Sequence, residues 1–535
     1  MSVDVLIRGA TVYDGTGSPG RQADVAVAGG HIVALGHAAT DEPARRVIDG
    51  GGLALAPGFI DMHSHGDLTL PSFPDAPNSI CQGVTTEVVG NCGFSAAPVP
   101  ADPALAAELR SFIGGFGPDL DWSWSSYAEF LQRLDQARPA VNVVPLLGHG
   151  TLRVGTMGSA SHAATEPERS VMRAELRRAL SDGAWGMSTG LAYVPGMFAD
   201  LAELVDVATP LRDVDALYAS HIRDEGGELL SAVEEALAVG EHLGIRVQIS
   251  HLKCVGLDNR GRATGALDRI DAARQRGTRV ACDAYPYTAG STLLSQVLPP
   301  WARDGGVDEM LGRLRSADGR MRIRHDLEAG SAAWLNLLSA AGGWANVQVA
   351  GVASPGLSWA EGRSIADLAR ERDADPLDLA LDLLLQDSGM TLMVIFLMDE
   401  ADVRAVLRHP VVAVGSDQLG VTSAVARVHP RAYGTFARML GWGVRTAGLG
   451  TLQEVVRKMT GLPAAIIGLA DRGRVAAGMV ADLVLFDPTA VADMATYAEP
   501  TRLATGIQFV MVGGRLAIGD GRPADLRLGR VLRRG

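Results

Sequence analysis

Eight short apolar runs of β-type residues, most of them followed by a helical stretch, recur through the middle of this 535-residue chain, and that alternation leaves few folds open. In order they read GFIDMHSH, VTTEVVGNC, VNVVPLLGH, AWGMSTGL, LYASHIR, RVQISHLK, RVACDAYPY and VVAVGSDQ. Eight strands alternating with helices is the count of a (β/α)8 barrel. A doubly wound open sheet would carry a GxGxxG turn after its first strand, and no such turn follows GFIDMHSH. The intervening helices show their period in MRAELRRALSDG, GELLSAVEEALAVGEHLG and ALDRIDAARQRG, each closing near a glycine.

The two ends of the chain have a different character. VDVLIRGATVYDG and ADVAVAGGHIVALG alternate and turn at Asp-Gly and Gly-Gly, and RGRVAAGMVADLVLFDP and GIQFVMVGGRLAIGDG repeat the style. The expected class is therefore α/β: a distorted TIM-type (β/α)8 barrel over residues 56–474, with residues 1–55 and 475–535 combining into one small β-sandwich. About 125 residues separate the seventh and eighth runs, far more than an ordinary loop of a compact domain. This predicts a lid insertion over about 288–357 that carries Trp301, Trp334 and Trp344, with an ordinary barrel helix at DPLDLALDLLLQD.

Composition excludes several functions. Hydrophobic residues make up 47% and charged residues 20%, which is globular, and a net charge of −13 without a long basic run gives nucleic acid no track to bind. No apolar stretch approaches the ~20 residues of a membrane span, and MSVDVLIRGATVYDG lacks a signal-peptide pattern. These points predict a cytoplasmic protein with a small-molecule substrate and no nucleic-acid or membrane partner, its oligomeric state open. Four cysteines in so long a chain make no disulfide framework. Only Lys253 and Lys458 are lysines among 48 basic residues, so a lysine that persists is one whose ammonium matters.

Barrel enzymes build their sites at the C-terminal ends of the strands. Here the first run ends in His63 and His65, which at i and i+2 of an extended chain project to the same side. The second ends at Cys92, the fifth at His221, the sixth at His251 and the eighth at Asp417. That is the N, S and O ligand mixture of a zinc site with an open position. The fourth strand holds no lysine that could be modified to bridge two metals, which leaves Cys92 as the bridge. The expected arrangement is one tight zinc site from Cys92, His221 and His251 and a weaker second site using His63 and His65. Asp417 beside the metal would take a proton from the attacking water and return it to the leaving nitrogen. His149 and Arg223 are candidates for orienting the ligands.

In PGFIDMHSHGD, GVTTEVVGNCGFSAAPV, LLGHGTLR, STGLAYVPG, ASHIRDEG, QISHLK, DAYPYTAGST, VGSDQ, HPRAYGTF and LADRGRVAAGMVADLVLFDP the chain resembles, over nearly its whole length, the amidohydrolase superfamily and within it the N-acyl-D-amino-acid deacylases. The resemblance implies zinc and hydrolysis of an N-acyl-D-amino acid to a carboxylate and a free D-amino acid. It also implies that Lys253, Tyr285, Ser291 and Arg431 bind the substrate carboxylate, a charge-assisted clamp that would fix the stereocentre. Two departures lie near the site: Gln418, where the family more often has glycine, and the bulkier segment LGVTSAVARVHPR. The lid tryptophans and the lack of an obvious extra cationic pair predict apolar D-residues over acidic ones. The alternatives are hydrolysis of cyclic, dipeptide-like or secondary-metabolite amides, and a non-catalytic hydantoinase-like scaffold.

Overall fold

Strands that are buried on both faces pair in parallel beneath a coat of helices, and the eight apolar runs do so here. The computed structural model describes the whole chain except residues 1–2, 40–42, 118–119, 331–333, 420 and 422–427. The barrel strands are Phe59–Asp61, Val84–Val89, Asn142–Pro145 continued by Leu147–Gly148, Gly186–Gly190, Leu217–His221, Arg246–Ile249, Val280–Ala284 and Val412–Val414. Each pairs in parallel with the next, the third strand serving the second with its first half and the fourth with its last two residues. The ring is completed by the Met62 N–H, which donates to the Val414 carbonyl at 3.1 Å.

The helices return the chain as their sequences direct. Glu166–Asp182 opens on a capping box of Thr165 and Glu168, and Leu229–Leu243 ends where Gly244 takes φ 68°, a left-handed conformation that glycine adopts without steric cost. No helix among the described residues is long and apolar enough to cross a membrane.

Strands from the two ends of the chain form one nine-stranded sheet, joined where Ala54–Pro57 pairs antiparallel with Leu483–Phe486. It encloses its own apolar core, with Ile7, Val25 and Ile32 from one end of the chain against Leu483, Leu485 and Met511 from the other. A segment near the C-terminus runs beneath the barrel, where Val143 N–H donates to Arg530 and Leu532 N–H to Val143, at 2.9 and 2.8 Å.

The insertion after the seventh strand extends further than the sequence suggests. Pro376–Gln386, expected as a barrel helix, leads instead into Leu392–Phe396, which pairs antiparallel with both Ala289–Leu293 and Val347–Gly351. The helix before the eighth strand is Glu400–Arg408. An amphipathic helix reads the same over a barrel or over a small sheet, and only the strand partner distinguishes them.

A fully buried ion group braces the helices around the third and fourth strands. Arg153 donates to both Glu203 oxygens at 2.6 Å, and His149 Nε2 lies 3.0 Å from Oε1. Burial works to raise the Glu203 carboxyl, but His149 and Arg153 more than offset it and hold it at about 2. The folded-state value is depressed, so its stabilisation is complete above the unfolded carboxyl range near pH 4.5 and drains as pH falls toward 2. Glu203→Gln leaves Arg153 buried without its counter-charge and is expected to cost about 3–5 kcal/mol. Urea unfolding at pH 7 measures the loss, and the gap between variant and wild type should narrow as pH is lowered from 4.5 to 2.

Candidate active site

The strand ends bring the predicted residues to one rim. His63, Cys92, His251 and Asp417 form one buried group, and His221, Glu225 and His251 a second, the facing atoms of each lying within 4.8 Å of one another. Cys92 Sγ stands between the first and sixth strands, 3.2 Å from His63 Nε2 and 3.4 Å from His251 Nε2. The His221 ring meets the His251 ring edge-on at a centroid distance of 4.4 Å. His65 reaches the cluster through Asp417, its Nε2 3.4 Å from Oδ1. Cys92 thus lies within 3.4 Å of one residue expected at each site, His63 and His251.

Three of these residues, Cys92, His251 and Asp417, adopt positive φ of 54°, 34° and 50°. For side chains with a Cβ the left-handed region costs on the order of 1–3 kcal/mol and persists only where the surroundings impose it. Here each sits in the loop that follows its strand, and the turn brings the side chain into the buried cluster.

Buried carboxylates hold these turns. Asp283 accepts the His251 N–H at 2.9 Å, and Asp61 accepts the N–H groups of His63 and Ser416 at 3.1 and 2.8 Å. Ser64, Glu87, Gln418 and Asn78 make a further network: Ser64 Oγ donates to Glu87 at 2.6 Å, and Gln418 Nε2 reaches both Ser64 Oγ at 2.9 Å and Glu87 at 3.1 Å. The Gln418 carbonyl accepts the His65 N–H at 3.2 Å. Gln418 therefore positions the histidine turn, which explains a side chain where glycine was expected. Most of the segment noted beside it, residues 420 and 422–427, lies outside the described residues.

Electrostatics suit a cation. Burial lowers His65, and lowers His221 and His251 further, so these imidazoles are neutral and carry a free lone pair. Burial, with Asp417 adding, pushes the Cys92 thiol far up against the opposing charge of Lys253. Burial would also raise Asp417, but Arg431, then His251 and His65, hold it well below the usual carboxylate range. The Nδ1 atoms of His63, His65 and His221 are buried without a hydrogen-bond partner. A thiol facing two imidazoles beside an ionised carboxylate is a donor set that matches zinc, with the thiol giving up its proton as the cation binds.

A cavity of about 270 Å³ opens beside the cluster, and Lys253, Tyr285, Ser291, Asp417 and Arg431 line it. Arg431 is buried and pairs with Asp417 Oδ2 at 2.9 Å, while its Nη2 donates to the Ser291 carbonyl at 3.2 Å. Its guanidinium lies over the Tyr285 ring at 4.7 Å. Lys253 donates to Glu225 Oε1 at 2.5 Å and lies 2.8 Å from His251 Nδ1. Of the three tryptophans expected on the lid, Trp334 lines the cavity; Trp301 bonds to Asp326 and stacks on Arg322.

Two candidates are engaged elsewhere. His149 belongs to the Glu203 ion group, and Arg223 pairs with Glu235 while donating to the carbonyls of Met197 and Ala199. Their place behind the ligands is taken by Glu225, 3.1 Å from His251 Nδ1, and by Asp283, 3.5 Å from His63 Nδ1, which the motif reading passed over. For Glu225 a signal existed, since it lies four residues after His221 in ASHIRDEG.

Gly415 tests the tightness of the assembly, because a Cβ there would meet His63 Cβ at 2.6 Å and Asp283 Oδ1 at 2.8 Å. Gly415→Ala should displace His63, destabilise the fold by about 1–3 kcal/mol and weaken zinc binding about 10- to 100-fold. Thermal unfolding and competition against a chromophoric chelator measure the two effects.

A family model described as an amidohydrolase family matches residues 46–518. An N-acyl-D-aspartate deacylase of Alcaligenes xylosoxydans xylosoxydans is 39% identical over 533 residues, covering 99% of this chain and 95% of the relative. The crystal structure of an N-acyl-D-glutamate deacylase from Bordetella bronchiseptica, complexed with zinc and a phosphonate mimic of the tetrahedral intermediate, superimposes with a TM-score of 0.82 at 36% identity and covers 100% of both chains. A D-aminoacylase structure, described as having a binuclear metal centre with one-metal activation and second-metal attenuation, matches with a TM-score of 0.81 at 37% identity over 99% of this chain and 100% of that one.

Proposed function

This chain belongs to the amidohydrolase family, and from that premise we propose that it is a zinc-dependent deacylase that hydrolyses N-acyl-D-amino acids to a carboxylate and the free D-amino acid. The observation that carries the reading is the position of Asp417, held between a thiol-imidazole donor set and the Arg431 guanidinium at the wall of one cavity. The donors that would hold zinc are Cys92, His221 and His251 in a tight site, with His63 and His65 in a weaker second one. The neutral His221 and His251 imidazoles and the contacts of Cys92 with His63 and His251 support a metal held among these residues. Zinc in that place would act as a Lewis acid toward the scissile carbonyl and make water nucleophilic at neutral pH.

The remaining work falls to the chain's own side chains. Arg431, Lys253, Tyr285 and Ser291 would hold the α-carboxylate, the cations by charge and the hydroxyls by hydrogen bonds, and so fix which face of the amide meets Asp417. The Tyr285 hydroxyl is buried without a partner in the cavity wall, which supports a ligand as its acceptor. Asp417 would accept the proton of the attacking water on Oδ1 and return it to the leaving nitrogen. Its carboxyl, held ionised, is competent as the base.

Chiral separation of the amino acids released from racemic N-acetyl-methionine, N-acetyl-leucine and N-acetyl-glutamate by the zinc-loaded protein tests the reading. Release of D-amino acids alone is expected; release of none with zinc bound would discard the substrate class in favour of cyclic or peptide-like amides. Asp417→Asn is expected to retain zinc and lower kcat by about 10²- to 10⁴-fold, and substantial residual turnover would remove Asp417 from this role. Arg431→Ala should raise KM for an N-acetyl-D-amino acid far more than for its methyl ester, as steady-state kinetics on both will read.

A further inference from the structure

Arg303 ends the short helix Pro300–Arg303 in the insertion, is 8% exposed, and lines the same cavity as Arg431 and Asp417. The other cations of that cavity are each matched: Arg431 by Asp417, Lys253 by Glu225 and Arg223 by Glu235. Arg303 has no acidic partner among the described residues. One nitrogen, Nη1, donates to the Gln296 amide oxygen, and its Nε is buried with no partner at all. The acids that share the wall do not reach it: Asp224 accepts the N–H groups of Gly226 and Glu228, and Glu228 accepts the Ser231 hydroxyl.

A guanidinium that stays charged and is buried without a counter-ion costs several kcal/mol unless a ligand supplies the missing charge. Burial here lowers even its arginine pKa, to about 10, with the Tyr193 hydroxyl the only titratable group that works against it. Arg303 and Arg431 sit on different elements of the one cavity wall, Arg303 in the insertion and Arg431 at the start of Arg431–Arg438, and a ligand with two anionic ends would present one to each. We infer that Arg303 is a specificity-determining residue that receives a second carboxylate of the substrate, and that this chain therefore prefers N-acyl-D-amino acids with acidic side chains. The inference rests on the deacylase reading, with the α-carboxylate at Arg431 and the side-chain carboxylate at Arg303. It reverses the apolar preference expected from sequence, which assumed that the pocket held no further cation.

Two measurements test it. In steady-state kinetics with the zinc-loaded protein, Arg303→Met should lower the ratio of kcat/KM for N-acetyl-D-glutamate or N-acetyl-D-aspartate to that for N-acetyl-D-methionine by at least about 30-fold, mostly through KM, with Arg303→Lys intermediate. A merely structural arginine would lower all three in parallel, and a ratio that stays within about threefold overturns the inference. Separately, glutarate, with two carboxylates and no amide, should raise the Tm of the wild type more than butyrate does, and this advantage should vanish in folded Arg303→Met. An equal advantage in both proteins, or none in the wild type, overturns the inference. Because this readout needs no turnover, it still decides the role of Arg303 if none of the N-acetyl-amino acids is cleaved, the outcome that would instead defeat the deacylase reading.

Discussion

The Asp283 carboxylate, near the end of the seventh strand and 1% exposed, serves the turns after the sixth and the first strands at once: it accepts the His251 N–H and the Gln248 amide, and it stands 3.5 Å from His63 Nδ1. Asp61 ties the first strand to the eighth in the same way through Ser416. Carboxylates taken this far out of water are tolerated only when their lone pairs are filled, and the groups that fill them belong to the turns that carry the histidines and Asp417. The site is therefore rigid because the acids below it are satisfied. It is not held by side-chain packing alone.

That rigidity allows the positive φ angles of Cys92, His251 and Asp417, since strained backbone survives where several bonds fix it from both sides. It also gives Arg431 two duties. Its charge is matched by Asp417. On the proposed function, a substrate carboxylate sharing Arg431 would loosen that hold and raise the proton affinity of Asp417, toward that of a group able to protonate a leaving nitrogen.

Much of this could be read from the chain. The barrel strands were legible because both of their faces are buried, so most are short runs rich in apolar residues, and the histidines, Cys92 and Asp417 stand out at or just after the ends of those runs. Lys253 was marked by rarity, and Lys458 shows that rarity does not always mean catalysis: it is buried under the eighth strand and donates to the carbonyls of His409 and Val412. What stayed hidden was carried by common residue types. Glu225, Asp283 and Glu87 look like any of 61 acids, and Arg303 like any of 48 basic residues, until the fold removes them from water. The extent of the insertion was hidden for another reason, because Leu392–Phe396 has the pattern of a barrel strand and only its antiparallel partners assign it elsewhere.

The pairing of Ala54–Pro57 with Leu483–Phe486 sets an order on biosynthesis. More than four hundred residues must leave the ribosome between one strand and its partner. Through that interval, on the order of 20 seconds or more at ordinary elongation rates, Ala54–Pro57, outermost of the early strands on that side, presents an unpaired edge. The barrel can form in the meantime, but the sheet beside it closes only after the eighth strand and the helices behind it exist. The emerging chain thus depends on protection of that edge, by chaperones or by speed, during the whole of its translation.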